Sequence, residues 1–265
     1  MLWRRACMAP PNSHERRGHV SEGVIKYRCD WTREPIAVDP EVLAALGLWR
    51  SKLRGMGFIG VLPEGIGFGN ISVRVGGPAD SLVVVAGATS PDGPGGEGGK
   101  GEGPRPAFLI TGSGTGGLES LDASHLSLVT DYRLEANFLA CRGLTQASSE
   151  SLSHAAIYAA RPDAGAVIHI HSEALWKKWK GVLPTTEAAF AYGTPEMAVA
   201  LGRLVRESGP GSLRDLPRRS PWAIVMGGHR EGLMIFGPDL EGAGARVLKL
   251  GEGTVSSSQL GDECG

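Results

Sequence analysis

The chain has 265 residues, of which 42% are hydrophobic and 21% charged, so it can bury a sizeable core as one large domain or two small ones. Its formal net charge of −1 gives no electrostatic case for binding nucleic acid. No run approaches ~18 apolar residues, so no membrane span is expected, and Met1 to Arg5 lack the apolar stretch of a secretory signal.

From the N-terminus, residues 1 to about 20 are polar and carry Pro and Arg, the composition of a disordered end. With Glu22 to Pro35 they read as an N-terminal arm, residues 1–35, whose apolar contacts are Val24, Ile25, Tyr27 and Trp31. A single domain is expected over 36–251. It starts with a helix from Glu41 to Met56, where Val42, Leu46, Trp49 and Leu53 recur at helical spacing and read as core. Ile66 to Val75 and Leu82 to Val85 read as strands. The Gly/Pro-rich stretch 87–106 cannot pack a core and reads as a flexible insertion in a hairpin that pairs Leu82–Val85 with Phe108–Thr111.

Gly112-Ser113-Gly114-Thr115-Gly116-Gly117 fits G-x-G-x-x-G after a short strand. A dinucleotide site also needs a long helix next and an acid at a second strand end about 20 residues on. The segment from Leu118 to His125 is short and turn-like instead, so an anion-binding loop accounts for the same glycines. Ser151 to Ala160 reads as a helix, with Ser148 or Ser149 as its N-cap and Glu150 in the first turn. Arg161 to Gly165 is the stop and turn.

Ala166-Val167-Ile168-His169-Ile170-His171 then reads as a strand. Alternation puts Val167, His169 and His171 on one face and Ala166, Ile168 and Ile170 on the other. Two imidazoles side by side at a strand end can share one metal ion; the plainer alternative is two solvated histidines. Glu150, brought near by the helix–turn–strand unit, could join them or could be a capping acid only. Glu173 to Lys180 reads as helical, with Trp176 and Trp179 three apart on one face, a candidate contact between subunits. Pro221 to Met226 and Leu233 to Phe236 are strands around Gly227-Gly228-His229, and a third imidazole at that tip completes a catalytic ligand set with an open position. Of the other histidines, His14, His19, His125 and His154, none has comparable partners, and His154 reads as a packing or supporting residue on the helix. Asp239 starts the last helix, Leu240 to Leu250, and 252–265 is a loose Gly/Ser-rich tail. Cys7, Cys29, Cys141 and Cys264 lack C-x-x-C spacing and read as free thiols of a reducing compartment, the cytoplasm.

Taken in order, Gly69-Asn70-Ile71-Ser72, Leu109 to Gly114, Ser148-Ser149-Glu150, Arg161 to His171, Tyr192-Gly193-Thr194 and Gly228 to Leu233 resemble the class II aldolase/adducin family. The pieces span about residues 41 to 250. The resemblance implies an α/β fold: three layers, α/β/α, around a central mixed, largely antiparallel sheet. It implies a divalent metal ion held by His169, His171 and His229, zinc first, with manganese, iron, cobalt or nickel as alternatives. Glu150 would be the acid/base near the metal, and Asn70, Ser113, Gly114, Ser148 and Ser149 would surround a phosphate or carboxylate of a small-molecule substrate. The expected activity is aldolase-type lyase chemistry on a small sugar-like carbonyl compound. In such chemistry a Lewis-acid metal stabilises an enediolate while a carboxylate moves the proton. Epimerisation or dehydration of a sugar phosphate on the same scaffold, and a non-catalytic adducin-like interaction domain, are the alternatives. A homo-oligomer, a tetramer, is expected, with neither nucleic acid nor membrane as partner. Two departures stand out: Ser172 to Ala191 holds no tyrosine to assist protonation, and Arg230-Glu231 separate His229 from the next glycine.

Overall fold

A computed structural model describes residues 23–76, 105–207 and 222–252. Strand β1 (Arg28–Thr32) leads to helix α1 (Pro40–Gly55), whose N-cap Asp39 accepts a 2.7 Å bond from the Glu41 N–H. Pro at the first helical position is preorganised for that start. The short strands β2 (Gly60–Val61) and β3 (Gly67–Phe68) form a separate two-stranded pair. The expected strand over Ile66 to Val75 is therefore broken. Gly69, at φ 73°, separates β3 from β4 (Asn70–Arg74), and a Cβ there would lie 3.0 Å from the Phe58 carbonyl oxygen.

Strands β5 (Phe108–Thr111), β6 (Leu126–Arg133) and β7 (Phe138–Arg142) precede α2 (Ser151–Ala160). Then come β8 (Ala166–His171), α3 (Glu173–Trp179), α4 (Pro195–Glu207), β9 (Ala223–Val225), β10 (Gly232–Gly237) and α5 (Leu240–Gly251). Eight strands form one sheet in the order β1-β7-β6-β5-β4-β8-β10-β9. All neighbours are antiparallel except β1 and β7, so the sheet is mixed and largely antiparallel, as expected.

One apolar cluster joins Leu46, Trp49 and Leu53 of α1 and Val247 of α5 to Ala166, Ile168 and Ile170 of β8. The other joins Leu152, Ala156 and Ile157 of α2 and Met197 and Leu201 of α4 to Val167, Met234 and Phe236. Helices thus cover both faces. The split on β8 follows the alternation read from its sequence: Val167 shares its face with His169 and His171.

Two expectations are corrected. Part of the expected arm is sheet: residues 28–32 pair in register with Phe138–Arg142 as an edge strand, and Trp31 donates a 2.8 Å bond to the Gly143 carbonyl. The expected hairpin partner of β5 is displaced, because β4 and β6 take its two edges. Leu82–Val85 itself lies outside the described residues, as do His14, His19, Cys7, Cys264 and nearly all of the insertion and tail.

Candidate metal centre and substrate cleft

The register of the sheet sets the histidines. His169 pairs with Asn70 on β4 and with Met234 on β10, and His171 pairs with Gly232. Their side chains emerge on one face at the end of β8. His229 sits in the turn between β9 and β10, where its N–H bonds the Met226 carbonyl at 3.2 Å and its own carbonyl accepts from Gly232 at 2.9 Å. The flanking glycines are dictated by close approach: a Cβ at Gly228 would run into the Phe190 carbonyl, and one at Gly232 into the His229 ring. Glu231, at φ 72°, takes the left-handed turn that brings the chain round to Gly232. Inserting Arg230 and Glu231 therefore leaves His229 aimed at its partners.

The Nε2 atoms of His171 and His169 lie 3.1 Å apart, those of His229 and His171 3.0 Å apart, and one ligand atom from each residue falls within 4.8 Å of the others. All three residues are buried. His169 Nδ1 faces the Leu233 carbonyl oxygen at 3.1 Å, the contact that fixes the tautomer with a free Nε2 lone pair. Burial lowers all three imidazole pKa values, that of His169 to about 4 and those of His171 and His229 well below the ordinary value. A neutral imidazole can offer one nitrogen lone pair, so three Nε2 atoms this close make a donor set that fits a divalent ion.

Glu150 is buried too, and the cleft it lines also holds one of the three, His169, with Asn70, Ser113, Gly114, Ser148 and Ser149. Five of the expected substrate contacts and the acid are thereby brought together from β4, the loop after β5 and the turn before α2. Glu150 is itself the N-cap residue of α2, in place of Ser148 or Ser149, and its side chain caps nothing in the backbone. Instead Ser148 Oγ accepts from the Glu150 N–H at 3.3 Å and from Asn70 Nδ2 at 3.0 Å, while Ser153 Oγ donates to Glu150 Oε2 at 2.7 Å. Ser148 and Ser153 brace the turn, and Glu150 Oε1 is left without a protein partner. Burial raises Glu150 to about 7; the Ser153 hydroxyl and the Lys26 ammonium act the other way. Two acceptors in this cleft, Glu150 Oε1 and Asn70 Oδ1, are buried without a protein partner, the arrangement expected where a cation or substrate donor belongs.

Residues 64–252 match the sequence model of the Class II Aldolase and Adducin N-terminal domain. The chain belongs to that family. Among solved structures it is similar to the sugar-phosphate aldolase from Thermotoga maritima, at 19% identity and a TM-score of 0.51, over 79% of this chain and 90% of that one. It is also similar to YgbL, a putative aldolase/epimerase/decarboxylase from Klebsiella pneumoniae, at 19% identity and a TM-score of 0.50, over 80% of this chain and 86% of that one. These likenesses show the shared fold. A search of curated proteins finds no match. For this class II aldolase domain, the dinucleotide reading of Gly112–Gly117 fails on structure: a three-residue 3-10 turn, Thr115–Gly117, follows Gly114, where that motif needs a long helix.

Sequence reasoning missed several residues of the site. Tyr192 packs on His229 with ring centroids 5.0 Å apart, and Phe68 on His171 at 5.3 Å. Lys26 Nζ lies 3.6 Å from the Tyr192 ring centroid and donates to the Tyr192 carbonyl at 2.8 Å. Tyr192 was visible within a family motif, but Lys26 and Phe68 carried no signal. His154 is as expected, off the cluster: its Nδ1 lies 2.7 Å from Ser72 Oγ, which also meets the Tyr158 hydroxyl at 2.8 Å. The tryptophan pair is anchored within the chain. Trp176 Nε1 donates to the Met226 carbonyl at 2.9 Å and Trp179 Nε1 to the Leu250 carbonyl at 3.2 Å. Both rings are half-buried against the chain's own core.

Proposed function

We propose that this class II aldolase family member is a metal-dependent carbon–carbon lyase acting on a small sugar-like carbonyl substrate with an anionic end, phosphate or carboxylate. One observation carries the reading: three buried, neutral imidazoles converge on one point, and one of them, His169, lines a cleft with a buried carboxylate that no basic side chain among the described residues bonds directly. An interaction module has no physical use for such a cluster. His169, His171 and His229 hold the ion, zinc first. When bound, a divalent ion there supplies Lewis-acid stabilisation of charge developing on a substrate oxygen.

The chain's own residues do the rest. Glu150, held near neutrality by burial, can both accept and return a proton around pH 7. Its Oε2 is fixed by Ser153 and its Oε1 is open to the cleft's contents. Asn70, Ser113, Gly114, Ser148 and Ser149 orient the substrate's polar end, and Phe68 and Tyr192 wall the histidines from water. The free thiols Cys29 and Cys141 suit a reducing cytoplasm. Among the described residues no helix is long and apolar enough to cross a membrane. A homotetramer is the proposed assembly, carried by the family resemblance alone.

The test is elemental analysis of protein purified without an affinity metal column, followed by a screen of aldol cleavage on sugar phosphates and sugar acids. About one equivalent of divalent metal and a cleaved product support the reading. An epimerised or dehydrated product would move the reaction to the alternatives on this scaffold. Protein that takes up no metal would defeat the enzyme reading.

A further inference from the structure

Among the described residues that line the cleft there is no Lys or Arg, and there is an acid, Glu150. Lys26, whose ammonium acts on Glu150, gives the cleft some positive potential, and a second cation stands close by. Directly behind its glycine loop, on α1, lies Arg50. Its side chain is 2% exposed, and Nη2 donates to the Thr115 carbonyl at 2.6 Å and to the Gly116 carbonyl at 3.0 Å. Among the described residues no carboxylate contacts it, and the one charged neighbour acting on it is Arg54, which is also positive. A buried guanidinium without an acid is costly. The C=O and N–H of a trans peptide point opposite ways. By drawing two successive carbonyls to itself, Arg50 therefore turns the Gly116 and Gly117 N–H groups away from it. A Cβ at Gly67 would lie 3.1 Å from Gly116 N, which places that nitrogen against the glycines that line the cleft.

We infer that Arg50 is a positioning and specificity residue for the cleft: a buried, acid-free cation that orients the Gly112–Gly117 loop from behind and selects a dianionic substrate group, a phosphate over a carboxylate. The inference rests on reading the cleft as an anion subsite. The bound dianion is the missing counter-charge of Arg50. The loop between them keeps the two from direct contact, so the guanidinium contributes charge and loop geometry without touching the substrate.

The test is calorimetric titration of the full-length, metal-supplied protein with inorganic phosphate and with acetate. It compares the wild type, Arg50→Gln and Arg50→Lys. Gln keeps N–H donors for the loop carbonyls and removes the charge; Lys keeps the charge. Binding of either anion elsewhere, including at the metal, is common to all three proteins and cancels in the comparison. A single charge at a given distance acts twice as strongly on a dianion as on a monoanion. Arg50→Gln should therefore weaken phosphate about tenfold and acetate only about threefold, while Arg50→Lys keeps the wild-type phosphate-to-acetate ratio. Equal losses for both anions in Arg50→Gln would overturn the charge role and leave Arg50 a loop brace. A ratio lost as fully in Arg50→Lys as in Arg50→Gln would overturn it too. If wild-type protein binds neither anion, the anion-subsite reading fails first and this inference with it.

Discussion

The histidine cluster and the anion cleft share a wall yet are built differently. The histidines ride on paired strands: two on β8, locked between β4 and β10, and one in the turn that links β9 to β10. Their positions follow from strand register, which has few alternatives once one face is buried. The cleft is built from turns. The Gly112–Gly117 loop is held by Arg50 from behind and by an isolated bridge between Gly112 and Ala147, and the Ser148–Glu150 turn is held by Asn70 and Tyr27. Ligands of a metal tolerate little misplacement and sit on rigid elements. Groups that meet a substrate sit on loops whose shape depends on partners far away in sequence.

The sharpest way to break this comparison is to remove a ligand. His229→Ala should abolish stoichiometric metal and reduce turnover to background, while leaving the fold, because the turn's backbone bonds to Met226 and Gly232 remain. His154→Ala, one helix away, should keep the metal and lose stability through its Ser72 partner. Metal content measured on both variants decides. Full metal in His229→Ala would mean the three imidazoles are not one site.

Next in size is the acid that stands between the two regions. Glu150→Gln should keep metal content and lower turnover about a hundredfold or more. It should also change the pH dependence of stability in metal-free protein. Burial lifts Glu150 to about 7, so the fold favours its protonated form. That contribution is fully present below the ordinary carboxylate range and is lost as pH rises through about 7. The thermal midpoint of Glu150→Gln relative to wild type should therefore rise between about pH 5 and 8. A flat difference would mean the carboxyl is not desolvated.

This division also explains which features are legible from sequence. The period-2 alternation of Ala166–His171 placed two histidines correctly, and apolar strands around Gly227-Gly228 placed the third. Helices α1, α2 and α5 were legible from spacing and caps. The N-cap of α2 was misassigned because Ser148 has a long-range use, accepting from Asn70, which no local rule reveals. The edge strand β1 was invisible because its partner β7 is over a hundred residues away in sequence and its burial alternates only between exposed and half-buried. Arg50 falls within an ordinary helical pattern, so nothing in the sequence separates it from a surface arginine. Turns are assembled by such distant contacts: the glycine loop was legible as an anion-binding turn, but a substrate role for Asn70, Ser148 and Ser149 came from resemblance alone.

A smaller effect is expected from the cleft itself. Asn70→Ala removes the amide that holds Ser148 Oγ, and with it the orphaned Oδ1 facing the cleft. A single hydrogen bond of this kind is worth about 1 kcal/mol, so substrate or phosphate affinity should fall five- to tenfold with metal content unchanged. Loss of metal in Asn70→Ala would instead tie the two regions into one unit, since Asn70 pairs with His169 in the sheet.

The smallest expected effect concerns Trp176. Its indole N–H braces the Met226 carbonyl, the same residue whose carbonyl receives the His229 N–H. Trp176→Phe keeps the ring's packing and removes one bond, about 1 kcal/mol of stability. Because that bond steadies the turn that carries His229, metal affinity should drop a few-fold while phosphate binding in the turn-built cleft stays as it was. The same variant, combined with Trp179→Phe, probes assembly. Both indoles are spent on the chain's own carbonyls, so the double variant should sediment as the wild type does, in whatever oligomer that forms. If it dissociates instead, the rings reach a neighbouring subunit as well, and the wall of the metal site would be shared between chains.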